Sequence, residues 1–262
     1  MKKHPCLLSA LILGFALTTA HAQPGLRSRG AGGPPSGPQF GGDLGKIFGE
    51  HKAFSANLEF HMNSGKAADE VTMPGKLAYL DGKSRFEMDM TEMKSAQMPA
   101  GAAAQMKQMG MDKTIAIGRP DKKITLLVYP GMQGYVETPI RDADATKPES
   151  DFTVEITKLG KETVNGHDCV KNKVVSTDKQ GKTHESIVWN ATDLKNFPVK
   201  IETTEEGSTV TMLFKDVKFA KPEAAQFEPP ADFTKHDSMM TMMRQQMMKQ
   251  MGDGAVMPPG HP

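Results

Sequence analysis

The sequence has few of the residues that stabilise small exported proteins by covalent links. Its 262 residues include two cysteines and one tryptophan. Cys6 lies in the N-terminal segment, so Cys169 is the only cysteine left once that segment is removed, and no internal disulfide can then form. An apolar core must therefore provide the stability. An excess of one charge is also absent, because 32 Lys and Arg are interspersed with 31 Asp and Glu. This balance gives no indication of nucleic acid or an anionic membrane surface as a partner.

The motifs of common enzymes are missing. The chain has no G-x-S-x-G, H-E-x-x-H, P-loop, C-x-x-C or dinucleotide fingerprint. His167, Asp168 and Cys169 suggest a nucleophile, but alternation along a strand points Asp168 away from the other two, and no helix N-terminus follows to lower the thiol pKa. An ordinary strand cysteine is the favoured interpretation, with a reactive thiol as the alternative. We predict no enzyme, no catalytic residue and no cofactor, with a hydrolase as the disfavoured alternative.

Only the first residues contain an extended apolar run. Two lysines precede the run from Leu7 to Leu17, and Ala20-His21-Ala22 follows as a small-x-small triplet. This pattern predicts a signal peptide over residues 1–22, cleaved near Ala22. Since the run is too short to span a bilayer and no second one follows, we expect a periplasmic protein without a transmembrane segment.

Composition divides the remaining chain into three parts. Residues 23–43 are rich in Gly and Pro, which predicts a flexible leader. Residues 44–235 carry the periodic apolar patterns of a folded β domain, opening with a short amphipathic helix that Asp43 caps. Residues 236–262 form a Met-rich tail, helical or disordered. Within the domain, residues 95–111 are rich in Ala, Gln and Met, which favours an inserted helix.

Alternating apolar residues dominate the domain. In KAFSANLEFHM they fall at Phe54, Leu58 and Phe60, and in SRFEMDM at Phe86 and Met88. Turn pairs such as Asp81-Gly82 and Asn165-Gly166 separate these runs. We predict a mostly β fold with accessory helices, in which about ten antiparallel strands form a sheet that must curl or close.

Five stretches carry a resemblance to a known family. They are GKSRFEMDM, AIGRPDKKITLLVYPGMQGYVE, LGKETVNGHDCVKNKVV, KTHESIVWNATDLKNFPVKIE and FKDVKFAKPEAAQFEPPADFTK. In this order they resemble an exported bacterial family known as a domain of unknown function. That family is similar to the periplasmic lipoprotein carrier LolA and its receptor LolB, and more distantly to the anti-sigma-factor regulator RseB. The resemblance runs from about residue 44 to residue 235.

The resemblance implies a LolA-like half-barrel, an unclosed sheet wrapped around helices. In the carriers its apolar cavity receives acyl chains. The Gly/Pro leader, the insert at residues 95–111 and the Met-rich tail depart from that pattern. The resemblance therefore bears on the fold more than on the function.

Nine strand residues are the candidates for lining such a cavity. They are Leu58, Phe60, Phe86, Met88, Leu126, Val128, Trp189, Met212 and Phe214. Periodicity does not say which sheet face lines the cavity. Trp189 suits core packing or a cavity mouth. Arg85 has the opposite parity from Phe86, which favours a solvated or ion-paired arginine; the alternative is a rim residue that bonds a ligand head group or a loop carbonyl.

Methionines mark the tail. Met240, Met243, Met247 and Met251 form a stripe at helical spacing. With Met106, Met109 and Met111 of the insert, the tail is predicted to cover or extend an apolar groove. Cu(I) ligation by the stripe, which His236 and His261 could assist, is one alternative, because thioethers are soft ligands; plain disorder is the other.

The leading hypothesis is a non-enzymatic periplasmic carrier that binds a lipid or lipoprotein acyl chain in an apolar cavity, with transient contacts to envelope proteins. The alternative is a periplasmic Cu(I)-handling protein that uses the methionine tail. No metal site belongs to the leading hypothesis.

Overall fold

The structure is a computed structural model of the chain. It describes residues 48–64, 70–140, 152–178, 181, 183–205 and 207–251. The predicted signal peptide, the leader, most of the first helix and the end of the tail lie outside the described residues.

Strands make up most of the described chain. They are β1 (Ala53–Asn63), β2 (Val71–Leu80), β3 (Lys83–Asp89), β4 (Lys94–Ser95), β5 (Lys113–Arg119), β6 (Ile124–Tyr129), β7 (Gly134–Pro139), β8 (Phe152–Val164), β9 (His167–Asp178), β10 (Thr183–Ala191), β11 (Phe197–Glu205), β12 (Ser208–Lys218) and β13 (Thr234–His236). The described helices are α1 (Ala102–Gln108) and α2 (Met239–Met251). Strands β4 and β13 are two and three residues long, too short for alternation to reveal them.

All described strands belong to one sheet. Its order is β13-β7-β6-β5-β3-β2-β1-β12-β11-β10-β9-β8, with β4 paired to β2. Pairing is antiparallel throughout except between β13 and β7. In the described part of the chain, β13 and β8 end the sheet without pairing with each other. The predicted mostly β fold with one unclosed sheet is confirmed, and the sheet is not a closed barrel.

Two predicted turns have the backbone geometry that their sequences favour. Asp81 and Gly82 have φ angles of 49° and 89°, and Asn165 and Gly166 have φ angles of 50° and 83°. Positive φ at both central residues is the signature of the tight hairpin turn, for which Asn-Gly and Asp-Gly are preferred. These turns set the registers of β2 with β3 and of β8 with β9.

Strand register divides the first half of the sheet into two faces. Phe86 of β3 lies opposite Ala116, which lies opposite Leu127, which lies opposite Val136. We call this side the phenylalanine face. Arg85 lies opposite Ile117, which lies opposite Leu126, and these residues point to the other side.

The other side is covered by the segment that follows β12. Phe227 is fully buried there against Ile117, Leu126 and Val128. We call residues 219–233 the strap and the side that they cover the strap face. Both faces of β6 are therefore packed, in agreement with the nearly continuous apolar run of KITLLVYP.

Candidate functional site

The nine predicted lining residues are all buried, but they do not share one cluster. Seven of them belong to the largest apolar cluster: Leu58, Phe60, Phe86, Met88, Trp189, Met212 and Phe214. Within it, the rings of Phe60 and Phe86 meet edge to face with centroids 5.4 Å apart. Phe48, from the start of the described chain, fills the space between Phe54, Phe197 and Phe214. These seven side chains form a packed interior.

Leu126 and Val128 lie on the opposite side of the sheet from Phe86. Both pack with Phe227 under the strap. Alternation along β6 indicates that Leu126 and Val128 point to the same side of the strand. Only the hydrogen-bonded register with β5 decides which face of the sheet that side belongs to. They are therefore separated from the other candidates by the sheet itself.

Trp189 is buried beneath charged groups. Its indole Nε1 donates a 2.9 Å hydrogen bond to Glu162 Oε2, and the ammonium groups of Lys171 and Lys200 lie 4.8 Å and 4.1 Å from the ring centre. The bond from Trp189 is the main cause of the lowered pKa of Glu162. Both ammonium groups therefore make cation–π contacts with the ring, while the Glu162 carboxylate accepts the indole hydrogen bond. Trp189 is only 2% exposed.

Arg85 contacts a loop carbonyl on the strap face. Its Nη1 donates to the backbone oxygen of Gln226 at 2.9 Å, and its Nε donates to Glu87 at 2.7 Å. Arg119 of β5 is a second arginine that contacts the strap. The sequence patterns did not single it out. Its guanidinium is nearly buried, pairs with Asp121 and Glu228, and donates to the carbonyl of Phe227. The one sequence feature that could have pointed to Arg119 is its place in the turn sequence Gly118-Arg119-Pro120-Asp121.

Cys169 is an enclosed thiol. It is 2% exposed, and burial raises the pKa of the thiol, which opposes formation of the thiolate nucleophile. The neighbouring His167 uses its Nδ1 to pair with Asp193 at 2.7 Å. The thiol, the imidazole and Asp168 do not form a relay.

A groove opens beside the Met-rich insert. Its volume is about 720 Å³, and its lining residues are Glu70, Thr72, Met93, Lys94, Ser95, Ala96, Met98, Pro99, Gly101 and Ala103. Met93, at the edge of the groove, also packs against the large apolar cluster. None of the nine predicted residues lines this groove.

A layer of methionines continues from the insert to the tail. Met111, Met132 and Met242 are buried in one cluster with Tyr129 and Val136. Other methionines packed against this cluster are Met106, Met109, Met239 and Met243. We call these seven methionines the methionine layer. The insert and the tail, which the sequence linked only by composition, therefore both pack into the same cluster.

The tail helix docks through a different stripe from the predicted one. Met242 is 1% exposed, whereas Met240 and Met247 are 68% and 60% exposed. Of the predicted stripe, Met243 alone is part of the layer, and the side chain of Met251 lies outside the described residues. The reason is Gly134: a Cβ there would come within 2.6 Å of Met242 Sδ, so the missing side chain is what admits Met242.

In the described part of the chain, no three His, Cys, Asp or Glu side chains group as metal ligands. None of the described helices has the length and apolar character needed to cross a membrane.

Residues 62–197 match a family model, described as Domain of unknown function (DUF4412). The chain belongs to this family. The family expected from the sequence motifs is thereby confirmed. No curated protein matches the sequence of the chain.

Three solved structures have a loose likeness to this chain at low sequence identity. The lipoprotein LppX of Mycobacterium tuberculosis is 9% identical, with 62% of this chain and 85% of that one covered and a TM-score of 0.36. A LolA superfamily protein from Nitrosomonas europaea is 10% identical, with 70% and 93% covered and a TM-score of 0.33. LprF from Mycobacterium bovis is 12% identical, with 66% and 90% covered and a TM-score of 0.35. Since TM-scores below 0.5 denote only a loose likeness, function has to be inferred from the groove itself.

Proposed function

We propose that this protein binds the acyl chain of a lipid or lipoprotein, without catalysis, in the groove beside the insert. The supporting observation is the open 720 Å³ space bordered by Met93 and Met98. Ligand pockets for small molecules usually span about 300–1,000 Å³, so the space has the required size. In this proposal the protein acts in the periplasm and exchanges its ligand with envelope proteins.

The groove has the mixed character that an amphiphile requires. Met93, Met98 and Pro99 offer apolar contacts, while Glu70 and Lys94 offer charges of both signs. Burial of each methylene contributes roughly 0.8 kcal/mol before ordering costs. A chain with ten buried methylenes therefore gains about 8 kcal/mol before ordering costs, and a net micromolar affinity, about 8.2 kcal/mol, requires further buried methylenes or polar contacts.

The methionine layer explains how the groove can enlarge. Met106 of α1 packs against both the large apolar cluster and the methionine layer. Methionine side chains adapt easily to new neighbours because they are unbranched and polarisable. In our proposal, a shift of α1 uncovers Phe60, Phe86 and Met88 on the phenylalanine face, and these predicted lining residues then contact the far end of the ligand.

Titration with a fluorescent fatty acid tests this proposal. Met98→Asp puts a charge into the groove and is expected to weaken binding more than about tenfold, because the carboxylate must be desolvated. Met240→Asp is the matched control, since Met240 is exposed on α2 and outside the groove. Its affinity should stay within about twofold of the unaltered protein.

Native mass spectrometry of the purified protein provides an independent measurement. A co-purified lipid whose occupancy falls in Met98→Asp, but not in Met240→Asp, supports the groove as its site. Protein that carries no lipid and also fails to bind the fatty acid would contradict the proposal. Equal losses in both variants would place the ligand elsewhere.

A further inference from the structure

His236 and Met242 both pack against Gly134. A Cβ atom built on Gly134 would lie 2.6 Å from Met242 Sδ and 2.9 Å from His236 Nε2. The thioether sulfur and the imidazole nitrogen thus pack side by side on the α-carbon of Gly134, and the two distances place them at most about 5.5 Å apart. Both side chains are at least nine-tenths buried.

Local structure explains why these two residues meet. Strand β13 pairs in parallel with β7, which sets Thr234 opposite Gly134 and His236 opposite Val136. Helix α2 then begins at Met239, and Ser238 caps it by accepting a 3.1 Å hydrogen bond from Thr241 N. The turn between β13 and α2 brings Met242 back against Gly134 of β7.

The surroundings supply further soft ligands. Met111 and Met132 are buried in the same cluster as Met242, with Tyr129 and Val136 as its other buried members. Thioether and neutral imidazole groups favour Cu(I), whereas hard ions such as Mg²⁺ and Ca²⁺ require oxygen ligands.

We propose that His236 Nε2 and Met242 Sδ bind a Cu(I) ion, with a thioether of Met132 or Met111 as the third ligand. Because the sulfur and the nitrogen are at most about 5.5 Å apart, rotation of the two side chains away from Gly134 can bring both atoms onto one ion. The site differs from the stripe that the sequence suggested, because Met240 and Met247 point to solvent. It is also separate from the groove, which none of these residues lines.

Anaerobic titration with Cu(I) against a chromophoric chelator tests the site in the full chain. The expected result is one high-affinity Cu(I) per chain. Met242→Leu preserves volume and His236→Phe preserves a ring, so both variants should fold, and each is expected to lose more than about tenfold in affinity. Circular dichroism melting verifies that they are folded.

Matched controls separate ligation from general methionine content. Met240→Leu is the control for Met242→Leu, on the exposed side of α2, and His167→Phe is the control for His236→Phe, at a distant histidine. The Cu(I) affinity of both controls should stay within about twofold of that of the unaltered protein. Met132→Leu and Met111→Leu identify the third ligand by which of them weakens binding.

X-ray absorption of the copper-loaded protein gives a result that depends on no variant. A shell of mixed nitrogen and sulfur neighbours is expected. A shell without sulfur, unchanged affinity in both Met242→Leu and His236→Phe, or no Cu(I) bound in competition with the chelator would each overturn the proposal.

Discussion

Arg119 Nη1 donates a 3.1 Å hydrogen bond to the backbone carbonyl of Phe227, although 108 residues separate them in the chain. The same guanidinium holds Asp121 through Nε at 2.9 Å and through Nη2 at 2.8 Å. With Arg85 bound to the carbonyl of Gln226, two arginines fasten the strap to the sheet. The strap then carries the chain to β13 and to the tail helix.

Replacement of Arg119 should loosen the strap. Arg119→Met leaves Asp121 without its cation, leaves Glu228 with Lys122 alone, and leaves the Phe227 carbonyl without its donor. Because the carboxylates are about half exposed, we expect a loss of about 2–3 kcal/mol in the free energy of unfolding, measured by urea denaturation. Lys122→Met, at an exposed partner of Glu228, should cost less than about 1 kcal/mol. Equal effects of the two changes would contradict this assignment.

The same cluster should make stability depend on acid pH. The hydrogen bond from Arg119 lowers the pKa of Asp121 from 3.8 to about 2 and also lowers the pKa of Glu228. A lowered pKa in the folded state means that the stabilisation is complete above the unfolded pKa and is lost as the pH falls through the folded one. Unfolding midpoints measured from pH 5 to pH 2 should therefore decline. In a protein that retains Arg119, the Asp121→Asn change should make this decline shallower. In the Arg119→Met variant, adding Asp121→Asn should cause no further change in the decline.

The single tryptophan should report a shielded site. Since Trp189 is buried under Lys171 and Lys200, its native emission should lie at shorter wavelength than in urea, and acrylamide should quench it poorly. Lys200→Ala removes one ammonium group from above the ring and should increase quenching. Because Trp189 does not line the groove, saturating fatty acid should leave the emission maximum unchanged. Strong quenching of the native protein would refute the burial.

Cys169 should be unreactive while the protein is folded. Its burial raises the thiol pKa, so a disulfide reagent such as DTNB should label it only as fast as the protein unfolds. A Thr192→Cys variant in a Cys169→Ala background provides the comparison, because Thr192 is exposed in the neighbouring turn. If both thiols reacted at the same rate, the enclosed position of Cys169 would be wrong.

Gly134→Ala should release the tail helix. The added methyl would collide with Met242 Sδ and His236 Nε2, which we expect to cost about 1–3 kcal/mol. Trypsin should then cleave faster after Arg244, an exposed residue of α2. Met242→Ala should reduce the penalty of Gly134→Ala in a double-mutant cycle, since it removes the colliding sulfur. Independent effects of the two changes would show that the helix docks elsewhere.

Local patterns in the sequence were enough for part of this structure. Alternation in β1 and β3 predicted which parity is buried, and Phe54, Phe60 and Phe86 are all inside. The Asp81-Gly82 and Asn165-Gly166 pairs predicted hairpin turns, because few other residues tolerate their positive φ angles. These features depend on neighbours in the chain, so composition and spacing reveal them.

Other features depend on contacts between distant segments. The sequence predicted a methionine stripe through Met240 and Met247, yet the helix docks by Met242, because Gly134 and β13 form the receiving surface. Arg119 gave no periodic signal, since its partners come from the strap. The groove likewise combines β2, β4 and the insert.

By itself, the sequence determined a sheet of mostly antiparallel strands and which side chains along β1 and β3 are buried. Tertiary structure alone decided that Leu126 and Val128 pack under the strap, apart from Phe86. The physical reason is that a period of two specifies two opposite sides for each strand, while the hydrogen-bonded register between strands specifies which sides are shared.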